Sequence, residues 1–251
     1  VGVASTPGGQ RFVGIIRDLT DRARLENRLR EESGLARLGE LAAVLAHEVK
    51  NPLAAVSGAV QMLADRLPKD DESQDVVREI LARLDGLSAL MSDLLLYARP
   101  PRPALRDLDL RDLSESLVAF YQGDPSWRDL QVVVEGPAVS VSADPELLTM
   151  ALQNLLVNAS QAMKGSGRIV VRTAAAGPVV QVDVIDDGPG LAEAARAHLF
   201  QPFYTTKARG TGLGLATVRR IAEAHQGSIE VLHTGPGGTT MRLTLPAAGL
   251  A

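Results

Sequence analysis

His47 and Glu48 set an imidazole beside a carboxylate, and Asn51 adds an amide one helical turn on, all within His47-Glu48-Val49-Lys50-Asn51-Pro52. An imidazole with a free ring nitrogen is a nucleophile, so this run is suited to accept a phosphoryl group. Taken alone, the pair more often marks a solvated helix face. Its company changes its weight: Asn154-x-x-x-Asn158, Asp186-x-Gly188-x-Gly190 and Gly210-x-Gly212-x-Gly214 follow far downstream. These are residue types suited to a nucleotide. One half of the chain offers a nucleophile and the other a site for ATP.

Asn154, Asn158 and Gln161 fall at i, i+4 and i+7 and share one helix face. A polar stripe on an otherwise apolar helix faces water, a ligand or a hydrogen-bonding partner. A carboxamide oxygen is also a suitable hard ligand for Mg²⁺, which leans on substrate phosphates for the rest of its shell. Asp186 ends an apolar strand, where a carboxylate can accept from an exocyclic amine such as that of adenine. Read alone, Asp186 to Gly190 is also an ordinary turn. The run Gly210-Thr211-Gly212-Leu213-Gly214 opens a helix, and the N–H groups of a helix N-terminus favour phosphate. It is not a Rossmann fingerprint, because no strand directly precedes it, and no P-loop motif occurs.

The elements that must position these groups follow from the patterning. From Leu35 the apolar positions recur every seven residues at Ala42, Val49, Val56 and Leu63, with Leu38 and Leu45 on a companion seam. After a break around 67–71, a second series runs Val77, Ile80, Leu84, Leu87, Met91, Leu94 and Ala98. Two such helices form an antiparallel hairpin, and a lone hairpin leaves its seams half covered. A four-helix bundle made by two chains is therefore expected. The same register turns His47 to solvent, and Pro52 predicts a bend just after it. Arg99 to Pro103 ends the second helix as a stiff linker.

Beyond the linker, the pattern predicts a helix over 110–121, strands over 130–134 and 139–141, and a long helix over 145–163 with Asp144 as N-cap and Pro145 at its first position. Strands at 168–174 and 179–185, a helix at 212–225 and strands at 228–232 and 239–245 complete an α+β sandwich. At the other end, 10–17 reads as a lone strand, the last of a domain lying upstream. The sequence opens at Val1 rather than a methionine and is expected to be a piece of a longer protein.

Bulk properties limit the rest. A net charge of -4 gives no drive toward nucleic acid. Without cysteine there is no disulfide, thiolate metal site or thiol switch. No apolar run approaches the roughly 18 residues of a membrane span, so this fragment is expected to lack direct membrane contact.

These residues together resemble the catalytic core of a sensor histidine kinase of two-component signalling. The resemblance runs from about 33 to 247: an H box at His47 to Leu53, an N box at Asn154 to Asn158, glycine boxes at Asp186 to Gly190 and Gly210 to Gly214, and an F box around Phe200 and Phe203. It implies the tail of a PAS-like sensor domain over 1–20 with its Asp18-x-Thr20 exit, and a signalling helix over 21–33. A dimerisation and phosphotransfer hairpin (34–99), a linker (100–106) and a GHKL-type ATP-binding domain (107–251) follow. His47 would attack the γ-phosphate of ATP with Glu48 serving its other ring nitrogen. Asn158 would ligate Mg²⁺ with Asn154 helping, Asp186 would read adenine supported by Thr239, and Phe200 and Phe203 would anchor a lid that brings Lys207 to the phosphates. Arg209 would share that last role. Gln161 stands where many of these kinases carry a lysine, a spelling shared with the nitrogen-regulation-like group. Asn51 would orient water for dephosphorylating the regulator. The implied partners are a second copy of the chain and a response regulator receiver domain. The implied location is cytoplasmic, in a full-length protein that could be membrane-anchored. A GHKL-type ATPase and a catalytically silent scaffold are the alternatives; the first lacks its water-activating glutamate here, since Asn154 stands in that place.

Overall fold

The structure is a computed structural model that describes residues 2–6, 9–13, 48–68, 73–98, 102–207 and 210–248. The N-terminal strands β1 (Gly2–Thr6) and β2 (Gly9–Val13) pair antiparallel as a hairpin. The lone strand expected over 10–17 thus has an upstream partner, which a short Gly-, Ala- and Ser-bearing segment did not announce.

Helix α1 covers 48–64 and α2 spans Ser73–Ala98. Gln74 ties them together by donating from Nε2 to the carbonyls of Ala64 (2.9 Å) and Leu67 (3.3 Å) at the end of α1. Among the described residues much of the heptad seam remains uncovered. Val49, Val56, Leu63, Ile80 and Leu87 are all exposed, and among the described side chains of the hairpin Val77 alone is buried. Exposed apolar residues at heptad spacing are an unfinished interface.

The α/β half is finished. Strands β4 (Leu130–Glu135), β6 (Gly167–Ala176), β7 (Val179–Asp186), β8 (Ser228–Gly235) and β9 (Gly238–Pro246) form one sheet in the order β4-β6-β7-β9-β8. The β4–β6 pair is parallel and the other three pairs are antiparallel. Strands β3 (Arg106–Asp109) and β5 (Ser140–Ala143) make a separate antiparallel pair. Helices α3 (Leu110–Gln122), α4 (Pro145–Ala162) and α6 (Gly214–Ala224) pack on the sheet, and a short α5 (Glu193–Arg196) interrupts the stretch expected to be irregular.

Helix α4 starts where its sequence says it should. Asp144 accepts from the N–H groups of Glu146 (3.0 Å) and Leu147 (3.2 Å), ahead of Pro145 at the first helical position. Its apolar face, Leu148, Leu152, Leu155 and Leu156, is sealed against Val171, Val182 and Leu243 of the sheet. Burying each leucine contributes about 2–3 kcal/mol. Trp127, in a 3-10 turn (Pro125–Trp127), is buried and stacks on Tyr121 with ring centroids 4.3 Å apart.

One row of the sheet is polar. Register places Glu135, Arg172, Asp183, Arg242 and Glu230 side by side across all five strands, with alternating sign. Arg242 grips Asp183 through two 2.7 Å bonds, and Arg172 reaches Glu135 at 3.0 Å. Asp183 is buried, so this two-pronged bond is what compensates its lost hydration.

Candidate functional site

A cavity of about 290 Å³ opens between α4, the end of β7, residues 204–207, residues 210–212 and the start of α6. Asn154, Asn158, Gln161, Asp186, Gly190 and Thr239 line it, and from the second glycine run so do Gly210, Thr211, Gly212 and Gly214. Residues far apart in sequence thus converge on one space of a volume suited to a small ligand.

Asp186 anchors one end. Its Oδ1 accepts from the backbone N–H of Gly188 (2.9 Å) and of Thr239 (3.2 Å), leaving Oδ2 for a donor within the cavity. Burial raises its pKa, against the lowering effect of those two N–H bonds. The β8–β9 connection supports this end: Thr234 Oγ1 accepts from Leu191 N–H at 2.8 Å and lies 3.4 Å from Thr239 Oγ1. Such an end could accept from an amine while its own geometry stays fixed.

Helix α4 supplies the polar stripe at the other end. Asn154 donates from Nδ2 to the carbonyl of Met150 at 3.1 Å, which fixes the amide and frees Oδ1. Asn158 Oδ1 and Gln161 Oε1 both accept from the Lys207 ammonium, at 2.8 and 2.6 Å. Lys207 is exposed as a residue, yet burial lowers its pKa. Two neutral oxygens already gathered round a cation are a donor set that fits a hard divalent metal. Among the described residues no group of three or more His, Cys, Asp or Glu could hold a metal, so an ion here would draw its remaining ligands from phosphates and water.

The segment above the cavity closes on itself through glycine. Gly212 has φ 69, and a Cβ there would lie 2.4 Å from the carbonyl carbon of Phe203. A Cβ at Gly214 would lie 2.5 Å from Asn154 Oδ1, so a side chain there would displace the Asn154 amide from the start of α6. Among the described residues no side chain caps α6; Thr211 Oγ1 takes the N–H of buried Leu213, at 3.2 Å. The open amides of its first turn face a space where an anion would be stabilised. The far end of α6 is pinned to α4. His225 Nε2 accepts the Asp144 N–H at 3.0 Å while Nδ1 meets the Ile221 carbonyl at 2.8 Å, which assigns the ring proton to Nδ1.

Not every expected residue faces the cavity. Phe200 packs against the core, and Phe203, with φ 63, turns a largely exposed ring away, 59% accessible. Tyr204 and Thr205 line the cavity instead. The sequence carried that signal only as an unbroken Phe-Tyr-Thr-Thr-Lys run, in which backbone sign decides which ring points inward. Gly188 and Leu213 sit behind the wall. Asp93 of α2 also lines the cavity; its only trace in the sequence is one acid within an apolar helical run. Glu48 and Asn51 are exposed on α1. His47, Arg209 and residues 14–47 lie outside the described residues.

Residues 37–102 match the His Kinase A (phospho-acceptor) domain, and 143–249 match the histidine kinase-, DNA gyrase B-, and HSP90-like ATPase family. Sensor histidine kinase ZraS of Escherichia coli strain K12 is 35% identical over 232 residues, covering 92% of this chain and 50% of ZraS. Signal transduction histidine-protein kinase AtoS of the same strain is 36% identical over 235 residues, covering 92% of this chain and 38% of AtoS. The chain therefore spans half or less of these relatives. Among solved structures, full-length ShkA in complex with AMPPNP aligns with a TM-score of 0.70 at 27% identity, over 84% of this chain and 46% of that one.

Proposed function

Because the chain belongs to the sensor histidine kinases of two-component signalling, we propose that it phosphorylates His47 from ATP and passes the phosphoryl group to an aspartate of a response regulator receiver domain. The observation that carries this reading is the convergence of Asp186, Thr239, Asn154, Asn158 and Lys207 on one cavity, in a chain that also bears the His-Glu pair. Asp186 Oδ2 would take the adenine amine. The free amides of α6 and the Lys207 ammonium would meet the phosphates. Asn158, with Asn154 beside it, would hold Mg²⁺, which when bound offsets phosphate charge.

In the reaction a ring nitrogen of His47 forms a bond to the γ-phosphorus. The bond to the β–γ bridging oxygen breaks, and its electron pair leaves with ADP. The proton on the other ring nitrogen passes to Glu48. Asn154 supplies an amide where water activation needs a base, so the site favours holding ATP for transfer over hydrolysing it. Asn51, exposed one turn past His47, would orient water in dephosphorylation of the regulator. The exposed heptad residues of α1 and α2 support a homodimer built through a four-helix bundle.

Incubation with γ-labelled ATP and Mg²⁺ tests the reading. Acid-labile, base-stable label on the wild-type protein that is lost in His47→Gln is the expected result. Free phosphate without protein label would overturn it. Asn51→Ala is expected to keep autophosphorylation and lose regulator dephosphorylation.

A further inference from the structure

Helix α2 belongs to the hairpin, yet it forms part of the wall of the nucleotide cavity. Three residues on one face of α2 bring this about. Leu96 packs against the core of the α/β half, the ring of Tyr97 lies 5.4 Å from the Arg220 guanidinium, and Asp93, one turn earlier, lines the cavity itself. Arg220 is two turns into α6, about 9 Å from its start at 1.5 Å per residue. Stepping one turn back along α2 carries Asp93 toward the α6 end where Gly212, Gly214 and Leu215 line the same space.

The surroundings of Asp93 are one-sided. The groups suited to phosphate, the Lys207 ammonium and the open amides of α6, are positive. Asp93 is the opposite, and among the described residues no salt bridge or hydrogen bond includes it. Burial raises its pKa to about 6, so near neutral pH it is chiefly ionised. A polyphosphate entering this cavity brings several negative charges to a wall to which Asp93 adds one of its own.

We propose that Asp93 makes docking of α2 and binding of nucleotide antagonistic: the carboxylate repels the phosphates while α2 is docked, and a bound nucleotide loosens the α2–α6 contact. The inference rests on the cavity being the ATP site. Coupling of this kind is reciprocal, so one charge accounts for both directions. Release of α2 by nucleotide would free the catalytic half at the moment it is loaded, which links ATP occupancy to the motion that phosphoryl transfer to the hairpin requires.

Calorimetry of the full chain with AMPPNP and Mg²⁺ at low salt provides the test, together with hydrogen exchange of residues 90–98. Asp93→Asn is expected to tighten AMPPNP about three- to tenfold, a gain that shrinks as salt is added. Asp93→Glu keeps the charge and is expected to bind within about twofold of wild type. Tyr97→Ala, which weakens docking without touching the charge, is expected to tighten binding as well. AMPPNP should speed exchange over 90–98 in the wild type and do so less in Asp93→Asn. Unchanged or weaker binding by Asp93→Asn, or exchange over 90–98 that ignores nucleotide, overturns the inference. A wild-type chain that binds no AMPPNP overturns the ATP-site reading instead.

Discussion

The hairpin and the α/β half spend their apolar residues differently. In α4 the leucines at 148, 152, 155 and 156 all end fully buried, whereas the heptad residues Val49, Val56, Leu63, Ile80 and Leu87 end exposed. Both helical runs are equally periodic in sequence. What differs is the presence of a covering surface within the same chain, so one half has completed its burial and the other would complete it only in the proposed dimer. Stability should therefore reside in the α/β half, and assembly state in the hairpin.

That contrast can be broken at several points. The largest effect is expected from Arg242→Met, which leaves the buried Asp183 carboxylate without its partner and should cost the α/β half about 3–5 kcal/mol, read as a lowered urea midpoint. Leu152→Ala opens a cavity under the sheet and should cost about 3 kcal/mol by the same measurement. Next in size is the response of docking to acid. Burial holds docked Asp93 near 6 against an ordinary 3.8, so the docked form binds the extra proton, and docking is weakest above about 6 and strengthens as pH falls toward 3.8. A label pair on α2 and α6 should report this closure. Asp186 is raised too and Lys207 and Arg220 are cations nearby, so the Asp93→Asn variant, expected to lose this slope, isolates the group responsible. Asp144→Ala removes the α4 cap and should cost about 1 kcal/mol in the urea midpoint. Smallest for the α/β half is Val56→Asp, expected to leave its unfolding within about 0.5 kcal/mol while converting the light-scattering mass from dimer to monomer. A large loss of α/β stability in that variant would show that the two halves are not independent.

The sequence shows the site most clearly where chemistry and local geometry coincide. Asp144 before Pro145, the stripe of Asn154, Asn158 and Gln161, and Asp186 at the end of an apolar strand all depend on spacing within one element. Strand β3 was hidden because Arg106-Asp107-Leu108-Asp109 has little strand propensity and is extended only through its pairing with Ser140–Ala143. Asp93 was hidden for a related reason, since a lone acid on a helix gains its meaning from the α6 surface more than a hundred residues away. Phe203, expected as an anchor of a lid, does not line the cavity; its backbone has a positive φ and its ring is largely exposed, neither of which a run of residue types reveals. The alternating row from Glu135 to Glu230 likewise exists only once the strand order is known.

The single tryptophan of the chain, Trp127, sits on Tyr121 in the buried corner between α3 and β4. Its emission is thus a private optical channel of the α/β half. A fluorescence melt of this protein would pass over separation of two hairpins without a change in colour, while far-UV dichroism, weighted by the long helices, would register the hairpin as well. Disagreement between the two curves would measure, in degrees, how far apart the two halves let go.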